Sequence, residues 1–283
     1  MGLFSLGGAM RFPLKCVVLN ILNAKNILVA SFSMKLNDIS QYLDQYLRIG
    51  EINDYGPQGL QVETDNRDVQ KIALAVDSAP AVIEAAAEWG ADMLLVHHGI
   101  FWGGPQKIAG PFGERVRSFI RHGVNLYAAH LPLDAHPEVG NNAVLGEMFG
   151  LQDVVWWGNT NGAPLGVCGD VRPILLKDLE AKVNNRLNTQ SRVLANGPDT
   201  VKRVAILSGG GAGFVEEAAS LGADTYITGE TSHSHYWLAS DYRLNLIFGG
   251  HYATETVGVK ALGSHLVEKF GVETQFFDFP THM

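Results

Sequence analysis

The chain is poor in cysteine. Cys16 and Cys168 are the two present among 283 residues, and they form no C-x-x-C pair. That argues against a disulfide framework or a thiolate zinc site and suits reduced, structural thiols, so a cytoplasmic protein is expected. Positive charge is scarce too. Lys and Arg number 21 against 29 Asp and Glu, giving a formal net charge of -8. A nucleic-acid groove needs clustered Lys and Arg, and no long basic run occurs, so no nucleic-acid partner is expected. An anionic substrate would have to be drawn in by local groups or by metal, because the global field repels it. Long apolar runs are missing as well. The stretch CVVLNILNAKNILVASF is interrupted by Lys25 and three asparagines. Its unbroken runs fall far short of the roughly 20 residues a bilayer needs, and no clear A-x-A cleavage site follows. No membrane association is expected.

What is present is an ordinary globular composition, 46% hydrophobic. The length suits about two domains of roughly 100–200 residues each. Residues 1–33 look unlike the rest, and a fresh start is visible at Met34. MKLNDISQYLDQYL carries Ile39, Tyr42, Leu43, Tyr46 and Leu47 at helical spacing. We therefore read 1–33 as an extension, mobile or not native, and Met34 as the functional start.

The chain resembles itself. IALAVDSAPAVIEAAAEWGADMLLVHH (72–98) aligns without a gap on VAILSGGGAGFVEEAASLGADTYITGE (204–230). Each copy reads as strand, small-residue turn, helix, Gly-Ala-Asp, strand, which is a βαβ unit. Further on, NLYAAHLPLDAH (125–136) resembles NLIFGGHYATET (245–256), so His130 lies opposite His251 and Asp134 opposite Glu255. The extra length of the first copy is expected in the Gly/Pro-rich loop 101–113. LGVCGDV (165–171) and Arg192 to Ala195 read as strands. Leu176, Leu179, Val183 and Leu187 mark a helix. A helix from about Glu255 to Phe270 and a strand in VETQFFDF close the chain. The expected fold is α/β: two similar, duplicated α/β units, 34–150 and 151–283, with the segment from about 250 packing back on the first. The functional groups are expected in a cleft between the units.

Those groups follow strand ends, where ligand sites collect in α/β sheets. His97 and His98 end one strand, and Glu230 stands opposite His98 in the second copy. With Asp134, His251 and Glu255 they offer imidazole and carboxylate without thiolate. Such donors suit Zn, Fe, Mn, Ni or Co. A bridging carboxylate would let them hold two divalent ions, commonly about 3.5–4 Å apart. Adjacent histidines in a strand point to opposite faces, so a shared site requires a turn, which Gly99 permits. Spacing alone leaves a metal site and hydrogen-bonded structural histidines both open. His122, His136 and His265 read as surface or structural.

LLVHHGIFW, HLPLD and GGHYATETVGV, in that order, resemble the Nif-three-like family (NGG-one-interacting factor three). Its bacterial members are often catalogued as type 2 homologues of GTP cyclohydrolase I. The opening helix, DYGPQGLQVE (54–63) and TGE (228–230) resemble it too, over about residue 34 to the end. The resemblance implies two similar α/β units around a dinuclear site, with His97, His98, Asp134, His251 and Glu255 as ligands and Glu255 as the bridge. It also implies a ring-shaped homohexamer. Longer relatives carry an inserted domain for which this chain has no room.

Ring opening of GTP would call for an activated water at C8 of the purine and a nearby acid. Glu230 and His130 are the catalytic candidates, with His130 also suited to orienting a ligand. His233 and His235 read equally as proton carriers or as a solvent-facing helix. SGGGAG (208–213) reads as a tight βα turn in preference to a phosphate cradle, and GNN (140–142) as a helix start. The functional expectation is a dinuclear metal-dependent hydrolase acting on a nucleotide or another phosphate-bearing small molecule. The alternative is a non-enzymatic metal-binding ring or scaffold for storage, delivery or regulation. An open site beside a pocket favours the first, a sealed site the second.

Overall fold

The computed structural model describes residues 33–283. The expectation for residues 1–33 thus falls, Ser33 apart, outside the described residues. The described chain opens with β1 (Met34–Lys35), α1 (Leu36–Tyr46), β2 (Gly59–Val62), β3 (Asp68–Val69) and β4 (Lys71–Asp77). Then come α2 (Pro80–Trp89), β5 (Met93–His98), α3 (Gly110–His122), β6 (Asn125–Ala128), α4 (Leu131–Asp134) and α5 (Asn141–Phe149). The rest is β7 (Gln152–Thr160), β8 (Ala163–Leu175), α6 (Leu176–Leu187), β9 (Arg192–Leu194), β10 (Thr200–Leu207), α7 (Val215–Ser220), β11 (Thr225–Thr228), α8 (Tyr236–Asp241), β12 (Asn245–Phe248), α9 (His251–Phe270) and β13 (Glu273–Phe276).

This is a mixed α/β fold with three sheets among the described residues. A small one pairs β1 with β3. A five-stranded sheet has the order β13-β4-β5-β6-β2, and a six-stranded sheet the order β7-β8-β10-β11-β12-β9. In each large sheet three consecutive parallel strands form the middle: β4-β5-β6 in one, β10-β11-β12 in the other. An earlier strand lies antiparallel beside the third, β2 on β6 and β9 on β12. On the other side of the middle strands the sheets differ. β13 from the chain's end runs parallel to β4, whereas β8 runs antiparallel to β10.

The unbroken apolar runs of the middle strands follow from burial on both faces. Ile72, Leu74, Met93, Leu95 and Tyr127 pack under α1 and α9, while Ala73, Ala75, Leu94, Val96, Leu126 and Ala128 pack under α2 and α3. The second sheet repeats this. Val204, Ile206, Ile227 and Ile247 face α5 and α6, and Ala205, Leu207, Tyr226, Leu246 and Phe248 face α7 and α8. The period of two along a strand divides the residues between the faces. α1 buries Leu36, Ile39 and Leu43.

Two sequence expectations need correction. The last helix begins at His251, four residues before the expected start, after Gly250 turns the chain at φ +93°. The first copy's extra length lies in helix as well as loop, since α3 has 13 residues and α8 has six. GNN does start a helix, but neither asparagine side chain caps it. Asn141 instead donates to Asp134 Oδ1 and accepts the Gly258 N–H, which locks α5 to α9. No described helix is long and apolar enough to cross a membrane.

Candidate metal centre

His97 and His98 end β5 and are held from opposite sides. His97 is fully buried, and its Nδ1 donates to the Ala129 carbonyl at 3.0 Å. A carbonyl only accepts, so Nδ1 carries a proton, and in the neutral imidazole it is Nε2 that holds the lone pair. His98 lies opposite Asp77 in the β4–β5 register, and its Nδ1 is 2.8 Å from the Asp77 carboxylate. The chain beyond is fixed by Gln61, whose side-chain oxygen accepts the Ile100 N–H. A Cβ at Gly99 would force the Gln61 side-chain amide to move, and no positive φ is involved.

Glu255 lies one turn into α9, on the same face as His251. Its carboxylate reaches both neighbouring elements. Oε1 is 3.5 Å from His97 Nε2 and 3.1 Å from His251 Nε2, and Oε2 is 3.3 Å from His98 Nε2. Asp134 ends α4 with Oδ1 committed to Asn141 and Ser208, and its Oδ2 is 3.6 Å from His97 Nε2. All five residues expected as ligands therefore meet in one place. Residues near that place are small for the same reason. A Cβ on Gly209 would strike the Glu255 carboxylate, and one on Gly229 would lie 2.8 Å from the His251 Cα.

The electrostatics agree with this crowding. Burial lowers the His97 pKa, but the Asp134 and Glu255 carboxylates outweigh it and push it up to about 9. His251 is pushed up to about 9 by Glu255, against burial and with help from Glu230. Burial raises the Glu255 pKa, yet His97, His251 and His98 hold it well below the usual carboxylate range. Even so, His97 Nε2 and Glu255 Oε2 are buried atoms that make no hydrogen bond. Close approach without bonding alignment is what atoms aimed at a common third partner show, and buried polar atoms seldom go unpartnered otherwise. The cluster thus contains buried His and Glu groups that could bind a metal ion. His98, His251 and Glu255 form one set with ligand atoms within 4.8 Å of one another; His97, His98 and His130 form another.

The remaining candidates divide. His130 Nδ1 is 2.8 Å from Asp54, whose other oxygen accepts the Leu131 N–H. Its ring centroid lies 4.9 Å from that of His97, inside the cluster. Glu230 stands at the edge, exposed, 3.1 Å from His251 Nδ1. His233 is exposed, and neither it nor His235 belongs to the ligand groups among the described residues. His136 donates to the Tyr46 carbonyl and His265 stacks on Tyr46 at 4.2 Å, both away from the cluster. SGGGAG is a turn that packs on Glu255, and the Gly209 N–H is spent on Thr254 Oγ1. Sequence reasoning missed the groups that orient the imidazoles: Asp54, Asp77 and the Ala129 carbonyl. Asp77 carries a legible signal as the lone charge ending an apolar strand, IALAVD. Asp54 does not, since 76 residues separate it from His130.

A cleft of about 180 Å³ opens at this point, bordered by Asp77, His98, Glu230, His251, Tyr252 and Met283. The cluster is therefore sealed on the His97 side and open on the His98–His251 side.

Known proteins are similar to this chain over nearly all of the described residues. A relative from Deinococcus radiodurans, named GTP cyclohydrolase 1 type 2 homolog, is 43% identical over 246 residues, 87% of this chain and 93% of its own length. One of the same name from Pyrococcus abyssi is 43% identical over 253 residues, 88% of this chain and 99% of its own. Among solved structures, protein ybgI, described as of unknown function, matches with TM-score 0.83 and 37% identity, over 88% of this chain and 100% of its own. The protein TTHA1606 from Thermus thermophilus matches with TM-score 0.81 and 41% identity, with the same coverage. Residues 34–282 match the family model described as Duf34/NIF3 (NGG1p interacting factor 3), and the chain belongs to that family.

Proposed function

We propose that the protein is a metal-dependent hydrolase that holds two divalent cations and acts on a nucleotide or another phosphate-bearing small molecule. One observation carries the reading: two buried ligand-type atoms, His97 Nε2 and Glu255 Oε2, lack hydrogen bonds at the point where five donor residues converge. Two donor sets that share His98, with Glu255 within 3.5 Å of His97, His98 and His251, support a pair of cations. Glu255 Oε1 meets His97 and His251, its Oε2 meets His98, and Asp134 adds a second carboxylate beside His97. Nitrogen and oxygen donors without thiolate fit Zn, Fe, Mn, Ni or Co. Bound there, the cations would polarise a substrate oxygen and make a water acidic enough to act near neutral pH.

The chain's own residues prepare that chemistry. Ala129, Asp77 and Glu230 each hold a ligand imidazole by its Nδ1 side, which fixes the ring and turns Nε2 inward. His130 is held the same way by Asp54 and is our candidate proton carrier. Glu230 acts through His251 as a positioning residue. The open side at His98 and His251 supports substrate access and favours a hydrolase over a sealed storage site. The relatives' name makes ring opening of GTP one version of the reaction. Phosphoester hydrolysis is another.

The test is an activity screen of metal-loaded protein with GTP, dinucleotides and generic phosphoesters, using Glu255→Ala as control. We expect turnover in the wild type that disappears in the variant. Turnover that persists unchanged in Glu255→Ala would rule this site out.

A further inference from the structure

We propose that the indole of Trp102, flanked by Tyr55, is the surface on which a flat heteroaromatic ring of the substrate stacks. The inference rests on the hydrolytic site described above and names the part of the ligand that site would select.

Two neighbouring aromatics in the loop after β5 behave oppositely. Phe101 turns inward against Phe112 at 5.4 Å and joins the core beneath α3. Trp102 turns outward and remains 38% exposed, beside Tyr55 at 58%. Neither belongs to a hydrophobic cluster among the described residues. Leaving so large an apolar surface in water forgoes burial energy, and a fixed, exposed aromatic beside a cluster of donor groups is a usual ligand-contact surface.

The position is fixed. The indole N–H donates to the Gly99 carbonyl at 3.0 Å, and Gln106 donates to the Trp102 carbonyl at 2.8 Å. The next residue's N–H, on Gly103, donates to the Tyr55 carbonyl at 2.6 Å. Gly56 lets the Phe101 carbonyl come so close that no Cβ would fit. The segment DYGPQGL (54–60) is therefore bound to the loop 99–106, which fixes the Trp102 indole as a shelf, and with it the backbone at Tyr55. A pre-ordered surface loses little entropy on binding.

The shelf faces the chemistry. The Trp102 ring centroid is 5.8 Å from that of His98 and 5.1 Å from that of His130; Tyr55 is 6.1 Å from His130. A ring lying on the indole would place its attached or fused atoms within one ring's width of the donor cluster. Because the indole N–H is already spent on Gly99, the surface offers its π face and not a hydrogen bond. It therefore recognises planarity and aromaticity more than a particular base edge.

The test compares binding of guanosine 5′-monophosphate and ribose 5-phosphate to metal-loaded protein by calorimetry. Wild type, Trp102→Ala and Trp102→Phe are used, since an exposed site tolerates both changes. Trp102→Ala is expected to weaken the nucleotide by roughly 5- to 100-fold and to leave ribose 5-phosphate within about twofold; Trp102→Phe keeps most of the nucleotide affinity. Equal losses for both ligands, no loss for the nucleotide, or no preference for the nucleotide in the wild type would each overturn the proposal. So would a change in oligomeric state in place of a change in ring affinity, which would make the shelf a contact between copies. Hydrolysis is scored separately. Ring-selective binding without turnover would sink the hydrolase reading and leave the shelf standing.

Discussion

Before β5, the Gly-Ala-Asp turn sets Asp92 against the start of β4, where its Oδ2 accepts the N–H groups of Gln70 and Lys71. Before β11, Asp224 does the same for Lys202 and Arg203. Gly90 and Gly222 end the preceding helices at φ +80° and +74°. The Asn125 side-chain amide donates to the Asp92 carbonyl, and the Asn245 amide donates to the Pro198 carbonyl just before β10. At the other ends of the strands the likeness stops. Where one copy has Asp77, His97 and His98, the other has Gly209, Gly229 and Glu230. The glycines make room for His251 and Glu255 on α9. Residues shared by the two copies build strands and turns. Residues that differ build the candidate site: His97 and His98 on one side, and on the other glycine backbone against which α9 presses His251 and Glu255.

The sharpest way to break this contrast is to remove a ligand. His97→Ala or Glu255→Ala is expected to abolish metal binding without unfolding the chain, checked by elemental analysis and circular dichroism. Full metal retention in both would refute the assignment. Next in size is Gly229→Ala. The added methyl would meet the Gly209 carbonyl at 2.6 Å and the His251 Cα at 2.8 Å, all backbone that must shift. We expect a loss of about 1–3 kcal/mol in urea unfolding together with weaker metal binding. A neutral result would mean α9 is not pressed against this turn.

A smaller effect compares the two Gly-Ala-Asp turns. Asp92 also accepts from Asn66, whereas Asp224 Oδ1 is buried without a partner. Asp92→Ala should therefore cost more than Asp224→Ala, each on the order of 1–3 kcal/mol. Equal costs would remove the distinction. Smallest is a pH effect. In metal-free protein His97 and His251 titrate at about 9, above the roughly 6.5 of an unfolded histidine. Their stabilising contribution is complete below about pH 6.5 and is lost as pH rises toward 9. Metal needs the neutral imidazoles, so metal affinity should rise over the same range, with proton release. Parallel slopes for metal-free stability and metal affinity would contradict the pKa shifts.

Much of this was legible in the sequence because strands buried on both faces leave long apolar runs and their ends leave conspicuous polar residues. His97, His98, His130, Asp134, His251 and Glu255 all announce themselves that way. The groups that orient them do not. Asp54 reaches His130 through the fold, and the Ala129 carbonyl is backbone. Asn141 looks like an ordinary helix start until Gly258 is seen to leave space for it. The start of α9 at His251 was hidden because Gly249-Gly250 resembles a loop, and only the turn at Gly250 shows where the helix begins.

The most direct test of the central claim is a metal titration of stripped protein, wild type against Glu255→Ala, read as bound equivalents per chain. Two equivalents in the wild type, falling to one or none in the variant, are expected. A single equivalent in the wild type, or two that survive loss of Glu255, would contradict a cation pair joined by that carboxylate.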